Sequence, residues 1–513
     1  MKRYLLFAAL ACLLFAGPLT AVKPPPNIVL IVTDDEDVVG FQDALDHGLL
    51  PDIKTRMVDV GWTAENAFTP ESECCPARAM LLKGQYPQNT HVISNHAPNG
   101  IQQFIEATSL PVWQQSAGYK TMLTGKYMNE YGILGPAYPA SSPRSAKHVP
   151  LGWTMWQGLD DNSTYTSYAH TWTVSAFGAA PTFQTDTAYQ TDIVSIRFYL
   201  GVQWLIQQGG PWYAEMTPVT PHFHLVSAAS RPTPIISCPG NSARFGLVGT
   251  SPARYANTSN LPLPMSPAFN AGRAGKPEPI ASGPPMTQAD IDCARGTYNR
   301  RIEQMRAVND AVHALYTLLD STGQTANTIV CLTSDNGHML GEYGLVEKVW
   351  AYERSLRVPL VCAGPRVAHR SSDTLVTLAD LTPTFVDLAG ATTTAPLDGR
   401  SLRGDWSGLA PLARYAFPFI AGDSTTDGLP APFTVVQLPQ SPFFGVRTKT
   451  RKAIFYTAGP IELYHLDTDP YELVNVAGDP DNAAELSSLA TLTAGLITCS
   501  GSACAALETV ARP

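Results

Sequence analysis

The run Cys74-Cys75-Pro76-Ala77-Arg78 places the most reactive side-chain type in a setting that can activate it. Pro76 suits the first turn of a helix and Ala79-Met80-Leu81-Leu82 extend one, so Cys74 falls at a helix N-terminus. Free backbone N–H groups and the helix dipole favour an anion there. Arg78, four residues on, lies about one turn up the same side and can steady the same charge. Unmodified, Cys74 reads as an activated thiolate, with a buried thiol or a strained disulfide to Cys75 as the alternatives.

A second kind of chemistry gathers at strand ends. Residues 27–33 form a β-branched run of the sort buried on both faces of a parallel sheet, and it stops at Asp34-Asp35-Glu36-Asp37. Residues 328–334 form another and stop at Asp335-Asn336-Gly337. Four carboxylates in a row repel unless a cation or solvent separates them, so a solvated acidic turn competes with a metal site. Asp34, Asp35, Asp335 and Asn336 offer only hard oxygen donors, a set suited to calcium or magnesium and ill suited to zinc. Residues 119–123 lead in the same way to Lys126, and 212–216 to His222. Open α/β sheets build their sites beyond the carboxyl ends of their strands, and several polar ends converging there outweigh any one of them.

The elements needed to position these residues define the fold class. Ile302, Met305, Val308, Val312, Leu315 and Leu319 recur at helical spacing ahead of the 328–334 strand, giving a helix that packs on the sheet. The expected architecture is α/β: a mixed, mainly parallel sheet sandwiched by helices over residues 26–395. A smaller α+β subdomain over 396–513 follows, with short antiparallel strands at 433–438, 445–447 and 453–456 and a helix near 483–496. No internal repeat is evident.

Composition narrows the partners. The chain has 513 residues, 44% hydrophobic and 15% charged, which fits an enzyme-sized globular protein. Lys2 and Arg3, then the apolar run 4–15 and small residues to Ala21, read as a secretory signal peptide over 1–21. Nothing after it is long and apolar enough for a membrane span. The mature protein is therefore expected outside the cytoplasm: secreted, periplasmic, wall-bound or lysosome-like. Of 34 basic residues, Lys2 and Arg3 leave with the leader, so 32 face 43 acidic ones and the net charge moves from −9 to −11. That field argues against nucleic acid and long polyanions, and for a small or terminal substrate. Asn162 and Asn257 head glycosylation sequons. Among the cysteines, Cys499 and Cys504 could close a small loop, Cys238 could pair with Cys293, and Cys331 and Cys362, inside strand-like runs, read as buried free thiols.

Cys74-x-Pro76-x-Arg78 followed by Leu81-Leu82-Lys83-Gly84-Gln85-Tyr86-Pro87 resembles the sulfatase signature. The resemblance runs on through Gly125-Lys126-Tyr127-Met128-Asn129-Glu130-Tyr131-Gly132, Pro221-His222 and Ser334-Asp335-Asn336-Gly337. It continues through Gly341-Glu342-Tyr343-Gly344, Lys348, Arg357-Val358-Pro359 and Asp398-Gly399-Arg400-Ser401-Leu402, covering nearly all of the mature chain. It is strongest to the glucosamine-6-sulfatase branch, which algal and microbial arylsulfatases share. The resemblance implies an alkaline-phosphatase-like fold and hydrolysis of aryl sulfates or sugar 6-O-sulfates such as N-acetylglucosamine-6-sulfate. A separate formylglycine-generating enzyme would oxidise Cys74 to formylglycine. One hydroxyl of the hydrated aldehyde would attack sulfur, and the other would drive sulfate out.

By the same resemblance, Asp34, Asp35, residue 74, Asp335 and Asn336 hold the calcium ion. Arg78, Lys126 and Lys348 clamp the sulfate, His222 protonates the leaving group, and Asn129 and Glu130 contact substrate. Related phosphonate or phosphate monoester hydrolases, a catalytically silent binder of sulfated sugars and a zinc hydrolase are the rivals. Ala77, Lys83 and Met128 stand where Ser, Thr and His are usual, His338 lies one place early, and His224 has no counterpart.

Overall fold

The computed structural model describes residues 24–132, 145, 148–222, 250–278, 280–421 and 442–510. The leader, Cys238, His224 and the strand expected at 433–438 lie outside the described residues.

Ten strands make the principal sheet: β1 (Asn27–Thr33), β2 (Trp62–Phe68), β3 (Lys120–Gly125), β4 (Met155–Leu159), β5 (His170–Ala176), β6 (Thr182–Asp186), β7 (Trp212–Thr217), β8 (Thr328–Ser334), β11 (Leu360–Ala363) and β12 (Arg370–Thr377), with the short pair β9 (Met339–Leu340) and β10 (Val346–Glu347) outside it. Their order is β12-β2-β11-β8-β1-β7-β3-β4-β5-β6. The central run β8-β1-β7-β3-β4 is parallel throughout, and antiparallel pairing is confined to β11 and to the β4-β5-β6 edge. All seven residues of β1 are buried. Its alternate side chains feed opposite layers: Ile28, Leu30 and Val32 join one apolar cluster, Val29 and Ile31 the other.

The helix expected ahead of β8 is Gln288–Ser321, longer than the apolar ladder alone indicates. Thr287 caps its start reciprocally with Asp290, and Met305, Val308, Val312 and Leu315 press on the sheet. A four-stranded antiparallel sheet follows, β13 (Ala416–Ala421), β14 (Phe443–Thr448), β15 (Arg451–Tyr456) and β16 (Ile461–His465), with the helix Ala483–Leu496 beyond it. Phe417, Phe419, Ile454 and Tyr464 of this sheet share an apolar cluster with Phe68 and with Tyr343 and Tyr352. Lys276 lies beside those two tyrosines, its Nζ 3.8 Å from the Tyr343 ring, 4.1 Å from Tyr352 and 3.8 Å from Glu462.

One cysteine expectation is overturned. Cys331 and Cys362 are not free thiols but a disulfide, because β11 pairs antiparallel with β8 and sets the two directly opposite. The Cys499–Cys504 loop forms as expected, and Cys293 is disulfide-bonded.

Candidate active site

β1 and β8 are adjacent and parallel in register, Thr33 opposite Ser334, so Asp34-Asp35 and Asp335-Asn336 leave the sheet side by side. Asp35 takes a left-handed backbone (φ 69°) that turns its carboxylate back into the same pit. Its amide donates to Asp335 Oδ1 at 3.1 Å, and the Asn336 Nδ2 donates to Asp35 Oδ1 at 2.6 Å.

The helix carrying the cysteine runs Cys74–Lys83, with Cys74 as its first residue and Gly84 closing it in the left-handed conformation. Its N-terminus is tied down by Asn95, whose Oδ1 accepts from the Cys75 amide at 2.8 Å while Glu73 Oε1 accepts from the Asn95 amide. Cys74 Sγ lies 2.7 Å from Lys348 Nζ and 3.4 Å from Asp34 Oδ1. Arg78 reaches across the pit: Nε donates to Asp335 Oδ2 at 2.9 Å, Nη2 to Asp34 Oδ2 at 3.3 Å and Nη1 to the Lys126 carbonyl at 3.0 Å. Lys126 leaves β3 through Gly125, where φ is 123° and any Cβ would sit 2.2 Å from the Thr217 carbonyl oxygen. Only glycine allows this close approach to β7. Lys126 Nζ ends 2.5 Å from Asp34 Oδ2, and Lys348 Nζ 2.5 Å from Asp35 Oδ1. His222 enters after β7 with Nε2 3.5 Å from Asp35 Oδ2.

Three carboxylates thus face three permanent cations, all of them buried. Burial alone would raise the Asp34 carboxyl, but Lys126, His222, Arg78 and Lys348 bring it down to about 2. Burial likewise opposes ionisation of Asp35, and Lys348 with His222 overcomes it, holding that carboxyl well below its usual range. Asp335 moves the other way: burial and the charge of Asp34 outweigh the cations and raise it.

The thiol itself departs from expectation. Burial, reinforced by Asp34, pushes Cys74 far above an ordinary thiol despite the nearby lysines, so it is not an activated thiolate. Nor is it disulfide-bonded to Cys75, which is a second buried free cysteine.

The donor set can be tested against a cation from this chain's own atoms. Asp35 Oδ2 and Asn336 Oδ1 are buried and have no hydrogen-bond partner, an arrangement that costs free energy unless a ligand satisfies it. Both are hard oxygens and both belong to the predicted ligand set, so the residues fit a divalent cation. The cluster also includes atoms beyond the oxygen-only set: Asp34, Asp35, Cys74 and His222 each bring a ligating atom within 4.8 Å of the others.

Every residue predicted for the site converges here except Glu130, which sits at its margin, accepting from Gln102 Nε2 at 2.6 Å with His96 at 3.7 Å. Asn129 is buried, its Nδ2 donating to the Tyr165 hydroxyl at 2.8 Å. His338 Nδ1 stands 3.8 Å from Asp35 Oδ2. Lys83, singled out by sequence, faces away from the pit, its Nζ donating to Thr108 Oγ1 at 2.6 Å and to the Thr108 and Ile105 carbonyls.

The sequence reading missed Tyr165, Arg301 and Arg354. Arg301 Nη2 donates to the Asp35 carbonyl and lies 3.6 Å from both Glu36 and Asp37, while Arg354 Nη2 is 3.2 Å from Asp37. A signal existed for Arg301: it falls on the same ladder as Met305, Val308 and Val312, so a charge on that face had to meet a buried partner.

Residues 26–391 match the family described as Sulfatase. The chain is 30% identical to the N-acetylglucosamine-6-sulfatase of Homo sapiens over 390 residues, 74% of this chain and 63% of that relative, so it spans less than two thirds of the relative's length. An arylsulfatase of Volvox carteri is 27% identical over 539 residues, 96% of this chain and 78% of the relative. Two solved structures share the fold. One is of a protein in complex with its substrate D-glucosamine-2-N,6-O-disulfate (TM-score 0.67, 20% identity, 92% of this chain and 97% of that one). The other is a phosphonate monoester hydrolase of Agrobacterium radiobacter (TM-score 0.66, 21% identity, 92% and 95%).

Proposed function

The chain belongs to the sulfatase family, and from that premise we propose that it hydrolyses sulfate monoesters, aryl sulfates or sugar 6-O-sulfates, at the pit around residue 74. The observation that carries this reading is the position of Cys74 Sγ between Lys348 and Asp34, with Arg78 and Lys126 closing the same pit. Three buried cations held in one pit suit a tetrahedral anion whose charge shifts to a leaving oxygen.

Maturation by a formylglycine-generating enzyme would replace the thiol with an aldehyde, whose hydrate supplies a hydroxyl nucleophile. Burial and Asp34 push the Cys74 thiol up, so the unmodified side chain is a poor nucleophile and the reading gives the attack to the hydrate. Asp34, Asp35, Asp335, Asn336 and residue 74 would hold calcium, or magnesium, and the ion would polarise a sulfate oxygen.

The remaining work falls to side chains. Arg78, Lys126 and Lys348 bind and orient the sulfate oxygens. His222 offers a ring nitrogen to the leaving oxygen; burial, with Lys348 and Lys126, holds its pKa below the ordinary imidazole value against the pull of Asp35 and Asp34. Asn129 has a buried Oδ1 without a partner, an acceptor for a substrate hydroxyl or amide. The acidic net charge favours a small or terminal substrate, and a leader over residues 1–21 would carry the protein out of the cytoplasm. Among the described residues no helix is long and apolar enough to cross a membrane.

The test is a turnover panel on protein expressed with the maturation enzyme: 4-nitrophenyl sulfate, glucosamine 6-sulfate, 4-nitrophenyl phosphate and an aryl phosphonate. Cleavage of a sulfate ester in preference to the phosphorus esters supports the reading. Preference for a phosphorus ester replaces it with the rival, and no cleavage by aldehyde-bearing protein removes it.

A further inference from the structure

Tyr165 was singled out by nothing in the sequence, yet its phenol touches three residues of the pit. Its ring centroid is 4.9 Å from Lys126 Nζ and 4.7 Å from the His222 ring, at an interplanar angle of 37°. Its hydroxyl accepts from Asn129 Nδ2 at 2.8 Å.

The backbone around Tyr165 is held as firmly as the ring. Gln190, fully buried, donates from Nε2 to the carbonyls of Thr164 (2.7 Å) and Thr166 (3.0 Å), the residues on either side. The short helix before it, Asp161–Thr164, is fixed in turn: the Thr164 and Ser163 hydroxyls donate to the Asp160 carbonyl, and Thr173 Oγ1 donates to Asp160 Oδ1 at 2.6 Å. A side chain needed only to fill space would not call for two clamped carbonyls at its flanks.

The chemistry of an aromatic face explains why this neighbour differs from the others. A carboxylate can hold Lys126 but neutralises the charge that a sulfate oxygen needs. A ring face attracts the ammonium through its quadrupole, leaves the net charge intact and uses none of the three N–H donors. The same ring packs against the imidazole of His222 and limits its rotation without occupying either ring nitrogen.

We propose that Tyr165 is a positioning residue of the sulfate clamp, its ring holding Lys126 towards the anion and His222 towards the leaving oxygen. This rests on the function proposed above, and its test has one readout that does not depend on turnover.

The variants are Tyr165→Phe, which keeps the ring, and Tyr165→Leu and Tyr165→Met, two ring-free changes of which either suffices if the other melts early. Against 4-nitrophenyl sulfate the ring-free variants should lose about tenfold in kcat with KM within about threefold, and Tyr165→Phe should stay within about threefold of wild type in both. Independently, reductive methylation of the folded proteins, read by peptide mass spectrometry, should label Lys126 several-fold faster in the ring-free variants than in wild type or Tyr165→Phe. Unchanged kcat together with unchanged labelling overturns the proposal. If wild type cleaves no sulfate ester, the function reading fails, and the labelling still decides the hold on Lys126: a contrast supports it and equal labelling overturns it.

Discussion

Replacing Lys348 by methionine should destabilise the metal-free protein far more than its conservative shape suggests. Lys348 Nζ lies 2.5 Å from Asp35 Oδ1, 2.7 Å from Cys74 Sγ and 3.9 Å from Asp34 Oδ1, and its side chain is only 4% exposed. Methionine retains the apolar stem but leaves three buried carboxylates facing two permanent cations. Removing one partner of a buried ion pair costs about 3–5 kcal/mol. At about 2.1 cal/mol/K per residue over roughly 490 residues, the entropy of unfolding is about 1 kcal/mol/K, so the melting temperature should fall by about 3–5 °C. The assay is a thermal melt of wild type and Lys348→Met in EDTA, repeated with saturating CaCl2. In EDTA the variant melts lower; with calcium the gap narrows, because the added cation restores the balance of charge. Equal melting temperatures in EDTA, or a gap that calcium leaves untouched, would refute the reading of Lys348 as a cation that shares the carboxylates with a metal.

Other outcomes can be checked alongside. Glu215 on β7 is buried, and burial, partly offset by the Tyr213 hydroxyl and Arg78, raises its carboxyl to about 7. The folded state therefore holds this proton above the unfolded value near 4.5, so the stability it contributes is full below that pH and is lost as pH rises through about 7. Wild type should lose about 2.5 kcal/mol more than Glu215→Gln between pH 5 and pH 8 in denaturant titrations, and parallel pH profiles would count against it. Dialysis against EDTA should abolish sulfate-ester turnover, with calcium or magnesium restoring it and zinc failing to; recovery with zinc alone would return the zinc hydrolase to consideration.

Much of the site was legible because strand ends are easy to read. The β-branched runs 27–33 and 328–334 could hardly be anything but buried strands, and they delivered Asp34-Asp35 and Asp335-Asn336 to the same place. Cys74 and Arg78 needed only helical spacing. What escaped depended on pairing in space. The Cys331–Cys362 bond follows from the antiparallel placement of β11 beside β8, which no local pattern encodes. β13 and β16 were missed because Pro418 interrupts one and short, mixed polarity blurs the other. Tyr165 lies in a short loop with no periodicity, so only its contacts reveal it. The thiol's pKa was misjudged because the helix N-terminus was legible and the depth of burial was not.

The most direct measurement is mass spectrometry of the tryptic peptide that carries residue 74, taken from protein shown to cleave a sulfate ester. An aldehyde at residue 74 is the predicted result. An unmodified thiol in active enzyme would contradict it.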